Sequence, residues 1–259
     1  MTATMNLQRT IKPTITPFEL NSLLAFGDST TAPRGSIQVY LDCVAQDLSE
    51  NGMEIEAINA GIGGNTTEDA RARFAKDVLE RQADIVVIQF GINDAAVDVW
   101  KTPPATQSRV TISRFKTNLE TFIEALRAQK STVILMTPNP MRWTPALKQM
   151  YGKPPYRPDD PDGFNVILQT YVDVVRAVSI EQAVPLVDVY AEYQIYGRNP
   201  GQSADDLLLD GMHPNDQGHR LVADLLIEEI LQACRCATSP ANASLLALAA
   251  PVPAGLVGC

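Results

Sequence analysis

The segment Asp84-Ile85-Val86-Val87-Ile88-Gln89-Phe90 constrains the fold more than any other stretch of the chain. Its β-branched residues run on without the polar alternation of a strand that keeps one face in water. Such a strand needs cover on both faces, the situation of a parallel sheet between helical layers. Residues 22–26 read as a further buried strand, and 55–59, 132–136 and 185–189 as strands. Between them, residues 37–48, 67–81, 109–129, 164–182 and 216–233 read as helices, with Thr66 as the N-cap of the second. Strands alternating with helices imply βαβ units and one five-stranded parallel sheet of α/β class. Ligands of such sheets bind beyond the carboxyl ends of the strands.

Four polar stretches fall on that rim although they lie far apart in the chain. They are Phe26-Gly27-Asp28-Ser29-Thr30 after the first strand, Asn59-Ala60-Gly61-Ile62-Gly63-Gly64-Asn65 after the second, Gly91-Ile92-Asn93-Asp94 after the third, and Asp210-Gly211-Met212-His213-Pro214 before the last helix. A serine hydroxyl is a poor nucleophile at neutral pH and needs an adjacent base. The chain has only two histidines, His213 and His219. His213 follows Asp210 by three residues, and a carboxylate so placed can hold an imidazole in the productive tautomer. His219 lacks such a partner and falls in a helical run. Asn93 can aim an amide N–H at an oxyanion, and the glycine-rich stretch can aim backbone N–H groups the same way. Each stretch alone is also compatible with an ordinary turn. Gly27 is expected to relieve the backbone before Ser29.

Composition narrows the partners. The net charge of -9 disfavours nucleic acid and anionic membrane surfaces. The four cysteines, Cys43, Cys234, Cys236 and Cys259, form no C-x-x-C pair, which predicts neither a disulfide framework nor a zinc site. No apolar run is long enough to span a bilayer, and the first twenty residues lack a secretory pattern, so a cytoplasmic chain is the default expectation. Residues 1–236 read as one domain and 237–259 as an uncharged Ala/Pro/Leu/Ser-rich tail, expected to be loose.

As an ordered set, GDST, NAGIGGNT, FGIND and DGMHP resemble the four sequence blocks of the SGNH (GDSL-type) hydrolase superfamily, over residues 22–233. The resemblance implies a flavodoxin-like three-layer αβα sandwich and a cofactor-free, metal-free serine esterase. It assigns Ser29 as nucleophile, His213 as base and Asp210 as the third member of the triad. It assigns the oxyanion hole to the backbone N–H groups of Ser29 and Gly64 and the side chain of Asn93. Threonine follows Ser29 where leucine is commoner, which touches packing and not chemistry.

Two long connections overhang this rim. Residues 95–108 contain Trp100; residues 138–163 are proline-rich and contain Arg142, Trp143, Tyr151 and Tyr156. Trp100 and Trp143 are candidate substrate-binding residues, because aromatic rings stack on sugars or wall acyl pockets; packing of the loops on their own scaffold is the competing role. A short-chain acyl ester, above all an O-acetylated carbohydrate, is the expected substrate. The rivals are a metal-dependent phosphoesterase, which normally needs more histidines, and a non-catalytic sugar-binding module. An α/β-hydrolase is a third possibility, but no G-x-S-x-G elbow occurs in the chain.

Overall fold

The computed structural model describes residues 20–237. Five strands, β1 (Ser22–Gly27), β2 (Glu56–Gly61), β3 (Ile85–Gln89), β4 (Thr132–Met136) and β5 (Leu186–Val187), form one sheet in the order β2-β1-β3-β4-β5. Every neighbouring pair is parallel. This is the flavodoxin-like order, whose crossovers leave β1 to opposite sides and open a crevice between the carboxyl ends of β1 and β3.

Strand periodicity splits the core into two layers. Leu24 and Phe26 of β1, Val86 and Ile88 of β3, and Val133 and Leu135 of β4 face one way. There they meet α2 (Thr67–Asp77), α4 (Ile112–Ala128) and α6 (Leu168–Gln182). Leu23, Ala25, Ile85, Val87, Ile134 and Met136 face the other way, against α1 (Tyr40–Glu50) and α8 (Asp216–Ala237). Side chains at successive strand positions point to opposite faces, so an uninterrupted apolar run is buried twice over. Each Leu, Ile, Val, Phe or Met side chain among them contributes roughly 1.5–3 kcal/mol on burial. Phe26 anchors the end of β1, with ring centroids 5.5, 5.1 and 5.4 Å from Phe74, Phe90 and Phe122.

Several boundaries differ from the sequence reading. β2 runs on through Asn59, Ala60 and Gly61, so the loop after it begins at Ile62. The helix expected from residue 109 begins at Ile112, where the Thr111 hydroxyl accepts from the Arg114 N–H at 3.4 Å; Arg109 therefore lies in the preceding loop. β5 has two residues, because Asp188 already caps α7 (Val189–Tyr196) through its Oδ1, 3.1 Å from the Ala191 N–H. A short helix, α3 (Ile92–Ala95), follows β3, and α5 (Pro145–Tyr151) lies within the proline-rich connection. Ala237, taken as the start of the tail, closes α8. The rest of that tail, like residues 1–19, lies outside the described residues.

Candidate active site

Past Gly27 the chain turns sharply around Asp28. The Asp28 carbonyl accepts from the N–H groups of Thr31 and Ala32, at 3.2 and 3.0 Å. Its Oδ1 accepts from the Thr30 N–H and hydroxyl, both at 2.9 Å. Ser29 rides on this turn. Gly27 is needed for space rather than for an unusual φ: a Cβ there would lie 2.1 Å from Thr31 Oγ1. Thr30, Thr31 and Gln89 form a buried network beneath, with Gln89 Oε1 2.9 Å from Thr30 Oγ1.

The segment before α8 brings His213 to the same place. The Leu209 N–H donates to the His213 carbonyl at 2.8 Å, and the Asn215 N–H to Leu207 at 3.0 Å. Asn139 braces the loop by donating to the Met212 carbonyl at 2.9 Å. His213 Nε2 lies 3.0 Å from Ser29 Oγ, and Nδ1 lies 2.8 Å from Asp210 Oδ2. An ionised carboxylate only accepts, so Nδ1 carries the ring proton and the Nε2 lone pair faces the hydroxyl. Asp210 Oδ1 also accepts from the N–H groups of Met212 and His213, at 3.0 and 2.9 Å. Partial burial works against the Asp210 charge, but these bonds and the nearby imidazole outweigh it and hold its pKa below the ordinary Asp value.

Asn93 sits in the first turn of α3, beside the nucleophile turn. Its Nδ2 donates to Asp28 Oδ2 at 3.3 Å, and its Oδ1 accepts from Arg109 Nη1 at 3.2 Å. Burial raises the pKa of Asp28 despite the bonds from Thr30 and the pull of His213 and Asn93. On the other side, a Cβ at Gly63 would lie 3.8 Å from Ser29 Cβ, so this glycine-rich loop borders the nucleophile. Gly64 has φ +78°, a conformation that a side-chain-bearing residue adopts only with strain. A cavity of about 80 Å³ opens next to Asn93, lined also by Arg109, Met141, Tyr151, Tyr156 and Met212.

A model of the GDSL-like lipase/acylhydrolase family matches residues 25–221. The chain belongs to this family. It is a carboxylic ester hydrolase of the SGNH (GDSL-type) superfamily. A lipoprotein of Bacillus subtilis, YqeF, is 33% identical over 216 residues, 77% of this chain and 85% of that one. An acetylxylan esterase of Geobacillus stearothermophilus is 27% identical over 187 residues, 68% of this chain and 72% of that one. A solved lipase/acylhydrolase from Enterococcus faecalis superimposes with a TM-score of 0.62 at 32% identity, covering 81% of this chain and 95% of that one.

In this GDSL-type hydrolase the fold brings Ser29, His213, Asp210, Asn93 and the Gly63-Gly64 loop to one rim of the sheet, as the sequence blocks implied. The two tryptophans make other contacts. Trp143 stacks on Phe164 at 4.4 Å with an interplanar angle of 10°, and its Nε1–H donates to the Asp160 carbonyl, so it packs its own loop. Trp100 is half exposed, with Lys101 Nζ 5.6 Å from its ring centroid. Neither lines the cavity. Arg109, Asp98 and Asn139 were not singled out from the sequence. They act across 73 residues or fewer through side-chain geometry alone, which leaves no local pattern. Among the described residues, no helix is long and apolar enough to cross a membrane and no cluster of His, Cys, Asp and Glu suits a metal ion.

Proposed function

We propose that the enzyme hydrolyses short-chain acyl esters, above all acetyl esters of carbohydrates, through an acyl-enzyme on Ser29. The observation that carries this reading is the hydrogen-bonded chain Ser29 Oγ, His213, Asp210, with links of 3.0 and 2.8 Å. His213 Nε2 takes the hydroxyl proton as Oγ attacks the ester carbonyl. Asp210 stabilises the imidazolium that forms. The oxyanion receives hydrogen bonds from the Ser29 and Gly64 N–H groups and from Asn93 Nδ2. The imidazolium then protonates the leaving alcohol as the carbon–oxygen bond breaks. Water, deprotonated by His213, attacks the acyl-enzyme; collapse of the second tetrahedral adduct returns the proton to Oγ and frees the acid. Each oxyanion donor is worth about 2.7–4 kcal/mol in the transition state.

The acyl group is assigned to the cavity beside Asn93. Its walls, among them Met141, Tyr151, Tyr156, Phe164 and Met212, are largely apolar and suit a small acyl group. The similarity to a Geobacillus acetylxylan esterase supports an acetylated sugar as the natural substrate. The family match favours neither a metal-dependent phosphoesterase nor a non-catalytic sugar-binding module. The test is a panel of p-nitrophenyl esters from acetyl to dodecanoyl, with acetylated xylo-oligosaccharides beside them, for the native enzyme and Ser29→Ala. Acetate is expected to turn over fastest and Ser29→Ala to be inert. Turnover that survives Ser29→Ala, or that rises with chain length, overturns the reading.

A further inference from the structure

The amide of Asn93 is held from both ends by groups of opposite demand. Its carbonyl oxygen accepts from the Arg109 guanidinium at 3.2 Å, and its NH₂ donates to the Asp28 carboxyl at 3.3 Å. A reversed amide would set NH₂ against N–H donors and oxygen against a carboxyl that is already accepting from Thr30. Only one orientation satisfies both neighbours. One N–H of the amide is then spent on Asp28, which leaves the second for an oxyanion.

Arg109 is itself fixed. Asp98 is buried, and its Oδ1 accepts from Arg109 Nη2 at 2.7 Å and from Nε at 3.1 Å. Lys101 Nζ lies 2.7 Å from Asp98 Oδ2. The Arg109 N–H donates to the Ala96 carbonyl at 3.0 Å, and the Val110 N–H to the Asp94 carbonyl at 3.2 Å. The loop carrying Arg109 is thus pinned to α3 and to the residue just beyond it, beside the amide that it orients. We infer that Arg109, locked by Asp98, is a positioning residue that fixes which end of the Asn93 amide faces the reacting carbonyl. This rests on the assignment of Asn93 as an oxyanion donor. Lysine could not replace it, because a single ammonium cannot offer the planar fork that holds Asp98 and the amide together.

A double-mutant cycle on an aryl acetate tests this, with kcat and KM measured for Asn93→Ala, Arg109→Met and the two combined. An unheld amide loses alignment only when the transition state needs it, so Arg109→Met is expected to lower kcat about 10- to 100-fold. The effect on KM is expected to be smaller, and the form of the pH profile unchanged. In the Asn93→Ala background, Arg109→Met is expected to cost nothing further in kcat. An equal loss in both backgrounds, or a kcat for Arg109→Met within twofold of the native enzyme, overturns the positioning role while leaving the oxyanion reading intact. If Asn93→Ala alone leaves kcat unchanged, both fall. Because Arg109→Met leaves the buried Asp98 with Lys101 as its one cationic partner among the described residues, circular dichroism and Tm accompany each variant. Where that variant misfolds, the cycle is run with Asp98→Asn/Arg109→Met, which removes both charges, and is judged by the same outcomes.

Discussion

His213 Nε2 lies 3.0 Å from Ser29 Oγ although 184 residues separate the two in the chain. The sheet order accounts for this. Ser29 follows β1, an interior strand flanked by β2 and β3, and the loop ahead of α8 crosses the same rim, tied down by Asn139 and by the Leu207–Asn215 backbone bond.

Members of such a chain act as a unit, and their losses do not add. Ser29→Ala and His213→Ala are each expected to lower kcat on the order of 10⁴–10⁶-fold. Removing both should cost little more than either alone. Asp210 is partly exposed, and water can replace part of its charge stabilisation, so Asp210→Ala should cost least. Steady-state kinetics on p-nitrophenyl acetate check the ranking. Additive losses for the Ser29/His213 double variant would separate the two residues functionally.

The width of the cavity beside Asn93 should set the acyl preference. Met141 is buried and lines that cavity. Met141→Ala removes side-chain volume without touching the polar groups. It should raise kcat/KM for butyryl relative to acetyl p-nitrophenyl esters by about tenfold, within the range of discrimination that a few methylenes provide. It should also lower stability by about 2–5 kcal/mol, through lost burial and a larger void. An unchanged butyryl-to-acetyl ratio in a folded variant would move the acyl group elsewhere.

The inner strands β1, β3 and β4 could be read directly because burial on both faces leaves a signature that no helix boundary can blur, as in Ile85 to Gln89. Ser29, Asn93 and His213 could be read because strand ends bring short polar blocks to one rim. α7 was hidden because its Tyr, Ile and Val residues favour strands when taken singly, and only the Asp188 cap redirects the chain. α5 was hidden by the surrounding prolines, although Pro145 occupies a position that favours helix initiation. The grip of Arg109 on Asn93 was out of reach, because its residue fell inside an expected helix and its partner Asp98 inside a loop.

His219 should make the fold acid-sensitive. It is buried on α8, and its Nδ1 accepts the Tyr40 N–H at 3.2 Å, which requires a neutral ring. Burial pushes its pKa down to about 4. An unfolded histidine titrates near 6.5, so between about pH 6.5 and 4 the unfolded chain binds a proton that the native state refuses. Stability attributable to this residue is whole above pH 6.5 and falls by roughly 3 kcal/mol on the way to pH 4. Urea unfolding of the native enzyme and His219→Gln at pH 7, 5.5 and 4.5 measures this. The variant should lose distinctly less over that range, and parallel curves would refute the assignment.

Asp94 should act in the opposite direction. Its Oδ1 accepts from the Thr67 N–H at 2.9 Å and from the Thr67 hydroxyl at 2.5 Å, while Oδ2 is buried without a partner. Burial dominates and lifts its pKa to about 7, with a smaller push from Asp28, against the Thr67 bonds. An unfolded aspartate ionises near 3.9. Between about pH 4 and 7 the native state therefore keeps a proton that the unfolded chain has released, and stability falls as pH rises. Asp94→Asn preserves the Oδ1 acceptor for Thr67 and removes the buried charge. Relative to the native enzyme it should gain roughly 2–3 kcal/mol between pH 5 and pH 8, read from denaturant midpoints at constant m. A stability difference between the two proteins that stays constant across this range would mean that Asp94 is ionised throughout, and that the fold pays for its charge in some other way.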